Sequence, residues 1–328
     1  MVRVLYIAGD FRSGSTFISQ ILGSYDHCLA VGELFDFWAE CQSGNRLCSC
    51  GSPLRDCAFW TSVLAHGFGD VDSNWIQQVI DLRRKVQSPR HLPFLLFRRI
   101  RPRSFDRNLQ AYIAILERLY SSIQAISGCE AIVDSSKLAA YALALNESPA
   151  IDVELIHVSR DSRACVYSWS RQKKEPSTGE QTRHLDKRPP VSTALMWQFR
   201  NLIFVAIAGR FSTSIRIRFE AFARQPNTTM RLLSRHLGLS GHEGIWVGEQ
   251  EVMVSPSSHV FAGNPDRIQH GAIRVRSSEE WRTAMSLRQQ RLVLALTLPA
   301  MWLLGHLGSR STEVGGVELE HALGEQAG

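Results

Sequence analysis

VRVLYIAG, residues 2–9, followed at once by DFRSGST, residues 10–16, is the stretch that decides the fold. The first segment is an apolar, β-branched run typical of a buried strand, and the residues after the polar turn, FISQILG, have the pattern of a helix. A strand, a glycine-containing turn and a helix in this order are the context of a phosphate-binding loop, because backbone N–H groups and the helix dipole attract an anion there. Ser15 stands where a nucleotide-hydrolysing loop carries its lysine, and the nearest cation is Arg12. The turn therefore predicts an anion site that is served by an arginine.

Further apolar runs alternate with longer helical patterns, which is typical of a parallel sheet with crossover helices. We expect an α/β fold: one domain with a central parallel β-sheet flanked by helices, spanning residues 1–310, and a flexible tail over residues 311–328. Ligands of such sheets bind beyond the carboxyl ends of the strands. The predicted strands are Val2–Ala8, Leu29–Val31, Ala131–Asp134, Val153–Ser159 and Ser214–Phe219.

The composition is that of a globular protein with a basic surface. Of its 328 residues 44% are hydrophobic and 21% charged, which excludes a largely disordered chain. The net charge of +6 comes from arginine, since only five of the 37 basic residues are lysines. Arginine suits bidentate contact with phosphate or sulfate, although a basic surface without a ligand explains most of these residues equally well.

The termini favour a cytoplasmic protein without a membrane span. The first residues lack the succession of basic, apolar and small residues that marks a secretory signal. A C-terminal apolar run, Leu292–Gly308, approaches spanning length, but Pro299 and His306 interrupt it. We therefore predict a buried helix there.

Seven cysteines, an odd number, do not suggest a disulfide framework. Four of them, Cys41, Cys48, Cys50 and Cys57, lie within 17 residues. A zinc knuckle is the alternative to nearby thiols, but the spacing is poor compared with paired CxxC units. We therefore predict no metal site.

Three segments in this order resemble the sulfotransferases that use 3′-phosphoadenosine 5′-phosphosulfate. They are GDFRSGSTFISQILG (residues 9–23), VDSSK (133–137) and HVSRDSRACVYSWSR (157–171). The resemblance covers most of the chain, to about Trp281, and implies the P-loop NTPase-like sulfotransferase fold. It also implies transfer of a sulfonyl group from this donor to a hydroxyl or amine, with adenosine 3′,5′-bisphosphate as the product.

The resemblance also implies roles for individual residues. Arg12 would contact the transferred sulfonate, and Ser13, Gly14, Ser15, Thr16 and Phe17 would form the loop for the 5′-phosphosulfate. Arg160 and Ser168 would clamp the 3′-phosphate, and Lys137 would neutralise charge beside Arg12. A late segment, Gly263–Arg282, is similar to the loop that closes over the nucleotide in bacterial members. Arg267 is the best candidate there, Gly263 and Asn264 would shape the turn, and Arg274 and Arg276 are weaker candidates. Phe219–Phe222 departs from the pattern of the family, so no function is assigned there.

The resemblance does not supply the general base that the family's cytosolic members use. Those members carry a histidine after the strand that corresponds to AIVD, and this chain has none there. Carbohydrate-type and several bacterial members resemble the segment Ala30–Phe37 instead, which makes Glu33 the candidate base. An ordinary carboxylate at a helix start is the alternative. His259 and His270 are reserves, although each alone is more often a surface histidine.

The acceptor cannot be read from these residues and is expected to be a small molecule, a carbohydrate or a lipid-linked hydroxyl. Four aromatic side chains, Phe35, Phe37, Trp38 and Trp60, either line its pocket or belong to the core. One rival function is a P-loop kinase or NTPase with Asp134 as its magnesium-binding acid. Another is a non-catalytic protein that binds anions or nucleic acid, but no aromatic and basic RNA motif supports a nucleic-acid partner.

Overall fold

A five-stranded parallel sheet forms the centre of the molecule. The computed structural model describes residues 1–44, 46–171, 174–175, 183–184, 187–255, 258–307 and 317–319. The parallel strands run in the order β7-β4-β1-β3-β2, and β10 extends this sheet as an antiparallel edge strand beside β7. Two separate antiparallel strand pairs, β5-β6 and β8-β9, lie outside it. The strands are β1 Val2–Gly9, β2 Cys28–Gly32, β3 Ala131–Asp134, β4 Ile151–Ser159, β5 Lys174–Glu175, β6 Arg183–His184, β7 Thr213–Arg218, β8 Glu251–Val254, β9 Gly271–Arg274 and β10 Val317–Leu319.

Helices connect the parallel strands and cover the sheet. All five strands predicted from the sequence are present, with ends shifted by no more than two residues. The helices are α1 Ser15–Leu22, α2 Phe37–Ser43, α3 Ala58–Phe68, α4 Ser73–Gln87, α5 Leu92–Leu96, α6 Arg103–Ser127, α7 Ala139–Asn146, α8 Ser162–Ser170, α9 Pro190–Ile207, α10 Phe219–Arg224, α11 Pro226–His236, α12 His242–Ile245, α13 Trp281–Ala284 and α14 Leu287–Leu303.

Strand β1 shows why its sequence is continuously apolar. Val4 and Tyr6 pack in one cluster with residues of α6 and α7, while Leu5 and Ile7 pack in another with residues of α1 and α11. Successive side chains of a strand point to opposite faces, so a strand covered on both faces needs apolar residues at every position. The predicted α/β architecture is confirmed in this respect.

The C-terminal part differs from the sequence prediction in two ways. The apolar run forms helix α14, but only one face of it is buried: Val293 and Met301 are inside, whereas Trp302 is 67% exposed. Within the predicted tail, Val317–Leu319 pairs with β7 through Ile215–Ile217. Residues 308–316 and 320–328 lie outside the described part of the chain.

One described helix has the length and composition of a membrane span. It covers Pro190–Arg210, with mean hydropathy 1.3 and 39% of its 18-residue window buried. It packs against α14 and α8. Core helices pass the same test, so this helix is weak evidence for a membrane span.

Candidate functional site

A cavity of about 560 Å³ lies at the carboxyl end of the sheet. Each of the five parallel strands places a lining residue there within three residues of its end: Phe11 after β1, Glu33 after β2, Lys137 after β3, Arg160 after β4 and Phe219 after β7. This is the edge at which open parallel sheets bind ligands. The strand order thus brings together residues that are separated by more than 200 positions in the sequence.

The turn between β1 and α1 forms one wall of the cavity. Arg12 and Gly14 both have a left-handed backbone, with φ of 70° and 90°. The first backbone bond of α1 runs from Phe17 N–H to the Gly14 carbonyl at 3.0 Å, so the preceding N–H groups have no acceptor within the helix. Arg12, Gly14, Ser15, Thr16 and Phe17 line the cavity, whereas Ser13 is fully buried behind it. The strand, turn and helix expected from the sequence are present, and the start of α1 borders the cavity.

The side chain of Arg12 is positioned by contacts from distant parts of the chain. Its Nη1 donates to Asn264 Oδ1 at 3.0 Å, and its guanidinium lies 5.1 Å from the ring centre of Trp169. Arg160 Nη1 donates to the Arg12 carbonyl at 3.2 Å. Because these contacts hold both the main chain and the guanidinium, the cation is preorganised toward the cavity.

Arg160 and Ser168 both line the cavity, as the resemblance implies. Arg160 follows β4, and Ser168 lies in the second turn of α8. The helix start is fixed by Asp161, whose Oδ1 accepts from Arg163 N–H at 2.9 Å, and by Glu220, which accepts from Asp161 N–H at 2.9 Å. The α8 start is thereby tied to α10, and α8 carries Ser168 toward the arginine.

Glu33 and Lys137 form an ion pair at the cavity wall. Lys137 Nζ donates to Glu33 Oε1 at 2.5 Å, and both side chains are nearly buried. Lys137 has a left-handed backbone with φ 62° and lies 5.3 Å from the Phe11 ring centre. A non-glycine residue in this conformation needs support from its surroundings, and such residues cluster at functional sites.

Two acidic residues near the loop are buried instead of lining the cavity. Asp10 accepts from Arg200 Nη1 at 2.7 Å, and burial raises the pKa of its carboxyl. Asp134 accepts from Tyr120 Oη, from Ser136 N–H at 2.8 Å and from Ser136 Oγ, and burial raises its pKa to about 6. Both carboxyls therefore support the loops that carry the site.

The late segment contacts the turn between β1 and α1 through Asn264, not through the arginine that the sequence favoured. Arg267 is fully buried, and its Nη2 donates to the Leu47 carbonyl at 3.4 Å. Arg274 and Arg276 line the cavity instead. Arg267 does not line the cavity because it lies in the one-turn helix at residues 265–268, where its carbonyl accepts from Gln20 Nε2 at 3.1 Å, while Ile273 and Arg274 of β9 line the cavity.

The two reserve histidines do not line the cavity. His259 stacks on Phe59 with ring centres 4.4 Å apart and lies beside Cys48 and Cys57. His270 Nε2 lies 3.0 Å from the Ser49 carbonyl. Of the three candidates for the general base, Glu33 is the one that lines the cavity.

The sequence analysis assigned no ligand contact to several residues that line the cavity. Trp169, Arg188, Phe219 and Asn264 all face the cavity. Arg188 lies 4.1 Å from the ring centre of Trp169, and Arg160 lies 4.8 Å from that of Phe219. The sequence could have indicated that Trp169 lines the cavity, because it directly follows Ser168, and likewise Asn264, because it lies in the late segment. Of the four aromatic candidates for an acceptor pocket, Phe35 lines the cavity, and Phe37, Trp38 and Trp60 belong to the core.

A scan against protein-family models finds no match for this chain, and a search of curated proteins finds none either.

Proposed function

We propose that the protein is a sulfotransferase that uses 3′-phosphoadenosine 5′-phosphosulfate. One observation carries the proposal: the loop Arg12–Phe17, the pair Arg160 and Ser168, and the pair Glu33 and Lys137 contribute to a single cavity. These groups come from four separate segments of the sequence. A cavity of about 560 Å³ falls within the size range of sites for small molecules and cofactors.

The proposed reaction is an in-line displacement at sulfur. The acceptor oxygen attacks, the new O–S bond forms, and the bond from sulfur to the bridging phosphate oxygen breaks. Negative charge builds on the leaving phosphate, where Arg12 and Lys137 would stabilise it, and the N–H groups at the start of α1 would hold its oxygens. The acceptor proton would pass to the Glu33 carboxylate. Fixed cations and dipoles of this kind act on charge that develops in the transition state, as they do in phosphoryl transfer.

The geometry favours this reaction over a magnesium-dependent kinase. A kinase of this fold would need Asp134 at the nucleotide, but the Asp134 carboxyl is fully buried and already accepts hydrogen bonds from Tyr120 and Ser136. It does not line the cavity. Arg12 occupies the strand side of the turn and supplies the cation that the loop lacks at Ser15.

The aromatic and cationic side chains around the cavity support a nucleotide and a small acceptor as ligands. Trp169 and Phe219 offer ring faces, and Arg160, Arg188 and Arg274 offer positive charge. The proposed compartment is the cytosol, where the donor would be encountered. A nucleic-acid partner is not part of the proposal.

Thermal unfolding with and without nucleotide tests the proposal. Adenosine 3′,5′-bisphosphate should raise the midpoint without magnesium, because a ligand that binds only the folded state stabilises it by mass action. Arg160→Ala should remove most of that shift. Stabilisation by ATP with magnesium alone would instead support the kinase. Tight RNA binding without transfer of labelled sulfate would support the non-catalytic alternative.

A further inference from the structure

Three cysteines and a histidine meet outside the cavity. Cys48 and Cys50 lie in the turn after α2, Cys57 precedes α3, and His259 comes from the segment before Phe261. Their ligand atoms all lie within 4.8 Å of one another. None of the four lines the cavity described above.

The separations match a tetrahedral metal site. Zinc bonds of about 2.3 Å to sulfur and about 2.0–2.1 Å to nitrogen imply edges of about 3.8 Å between two sulfurs and about 3.6 Å between sulfur and nitrogen. The distance from Cys50 Sγ to Cys57 Sγ is 3.6 Å. His259 Nδ1 lies 3.7 Å from Cys48 Sγ and 3.5 Å from Cys57 Sγ. These three edges are each within about 0.2 Å of the ideal value, and the other three are no longer than 4.8 Å.

The surrounding chain holds the donors in this arrangement. Cys48 N–H donates to the Ser52 carbonyl at 2.9 Å and Gly51 N–H to the Cys48 carbonyl at 2.9 Å, which close a tight turn around the first two thiols. Ser49 N–H donates to the Val260 carbonyl at 2.8 Å and thereby joins that turn to the histidine segment. A preformed set of donors is the structural mark of a site rather than of thiols that happen to be near one another.

The imidazole of His259 is oriented independently. Its ring stacks on Phe59 at an interplanar angle of 10°, and its carbonyl accepts from Trp60 Nε1 at 3.0 Å. These contacts turn Nδ1 toward the sulfurs. Cys57 also precedes the first turn of α3, where the helix dipole favours the thiolate form that binds metal.

We propose that Cys48, Cys50, Cys57 and His259 bind a structural zinc ion. Three thiolates and one imidazole are a closed tetrahedral set, with no position left for water or substrate, and soft sulfur donors in this geometry select zinc. The ion would fasten the Cys48–Cys57 loop to the segment that continues into Gly263 and Asn264. Because Asn264 accepts a hydrogen bond from Arg12, the ion would hold one wall of the cavity without taking part in chemistry there.

The metal content of the purified full chain tests this proposal. After expression with added zinc and dialysis, elemental analysis should find about one zinc per chain, and Cys50→Ser and His259→Gln should each retain less than about a tenth of that. Cys50 is exposed, so its substitution spares the core. Cys28→Ser is the matched control, because Cys28 is a half-buried thiol outside the cluster and should leave the zinc content unchanged.

Cobalt(II) provides a second reading that does not depend on stability. The wild-type chain, freed of zinc and reconstituted with cobalt(II), should show the visible absorption of a tetrahedral thiolate complex. As a third and separate measurement, removal of zinc should lower the midpoint of thermal unfolding. Zinc content in the wild type no greater than in both cluster variants would overturn the proposal. A Cys50–Cys57 disulfide in the freshly purified chain, found by mass spectrometry together with absent zinc, would overturn it too.

Discussion

Gly14→Ala is the sharpest test of the phosphate loop. A Cβ at this position would lie 2.2 Å from Cε2 of Phe219, and the residue has φ of 90°. Ordinary contact needs at least 3.4 Å, so the loop or the ring must move by about 1 Å, and such misplacement costs about 100-fold in rate. Losing one or two charge-assisted N–H bonds to the anion costs about 2–3 kcal/mol, or about 30- to 160-fold in affinity.

Isothermal titration with adenosine 3′,5′-bisphosphate and transfer of labelled sulfate measure these two losses. Gly248→Ala is the matched control, because Gly248 has φ of 85° and no atom lies within 4 Å of the place that an added methyl group would take. It should carry the backbone strain of about 1–2 kcal/mol alone and bind the nucleotide normally. Adding Phe219→Ala to Gly14→Ala should recover part of the affinity. Binding by Gly14→Ala as tight as that of the wild type would refute this role of the loop.

Four further substitutions test the other groups. Arg12→Ala should lower kcat by about 10²–10³ with less than a tenfold change in nucleotide affinity. Arg160→Ala should mainly weaken that affinity. If titration and turnover measurements gave the same pattern for both variants, the assigned roles would be wrong. Glu33→Gln should lower kcat by about 10²–10⁴, because the amide cannot accept the acceptor proton; an unchanged kcat would exclude Glu33 as the base. Burial lowers the pKa of His157 to about 4. In the unfolded chain the imidazole of His157 binds a proton below about pH 6.5, whereas in the folded chain it does so only near pH 4. The contribution of His157 to the free energy of unfolding is therefore fully present above about pH 6.5 and falls by about 1.4 kcal/mol per pH unit toward pH 4. His157→Gln keeps a donor for Asn201 Oδ1 and should remove this slope in chemical unfolding at a series of pH values; an equal slope in both proteins would show that another group titrates.

Much of the fold could be predicted from local sequence. A strand buried on both faces must be apolar throughout, and β1 and β4 are readable for that reason. The spacing from Arg160 to Ser168 likewise needs only one strand end and one helix to carry both side chains to the cavity. These features depend on neighbours in the chain, whose preferences the residue types express directly.

Long-range placement could not be predicted in the same way. Arg267, Arg274 and Arg276 are equally basic in the sequence, yet the first is buried and the other two line the cavity. The difference comes from the turn at residues 265–268 and the strand that follows it. The local sequence does not determine which of these three nearby arginines is buried.

The cysteine cluster shows the same division most clearly. Its three thiols stand close together in the sequence, and their spacing alone argued against a metal site. The fourth donor, His259, lies 202 residues after Cys57 and reaches it only through the packing of the late segment against the Cys48–Cys57 loop. Local pattern was enough to predict the parallel strands, the arginine-bearing turn between β1 and α1 and the positions of the strand-end residues, because each depends on residues that are near one another in the chain. Only the folded molecule shows which of those side chains line one cavity and which thiols lie beside the His259 imidazole. The reason is that convergence across the sheet depends on strand order and on the path of the chain between strands.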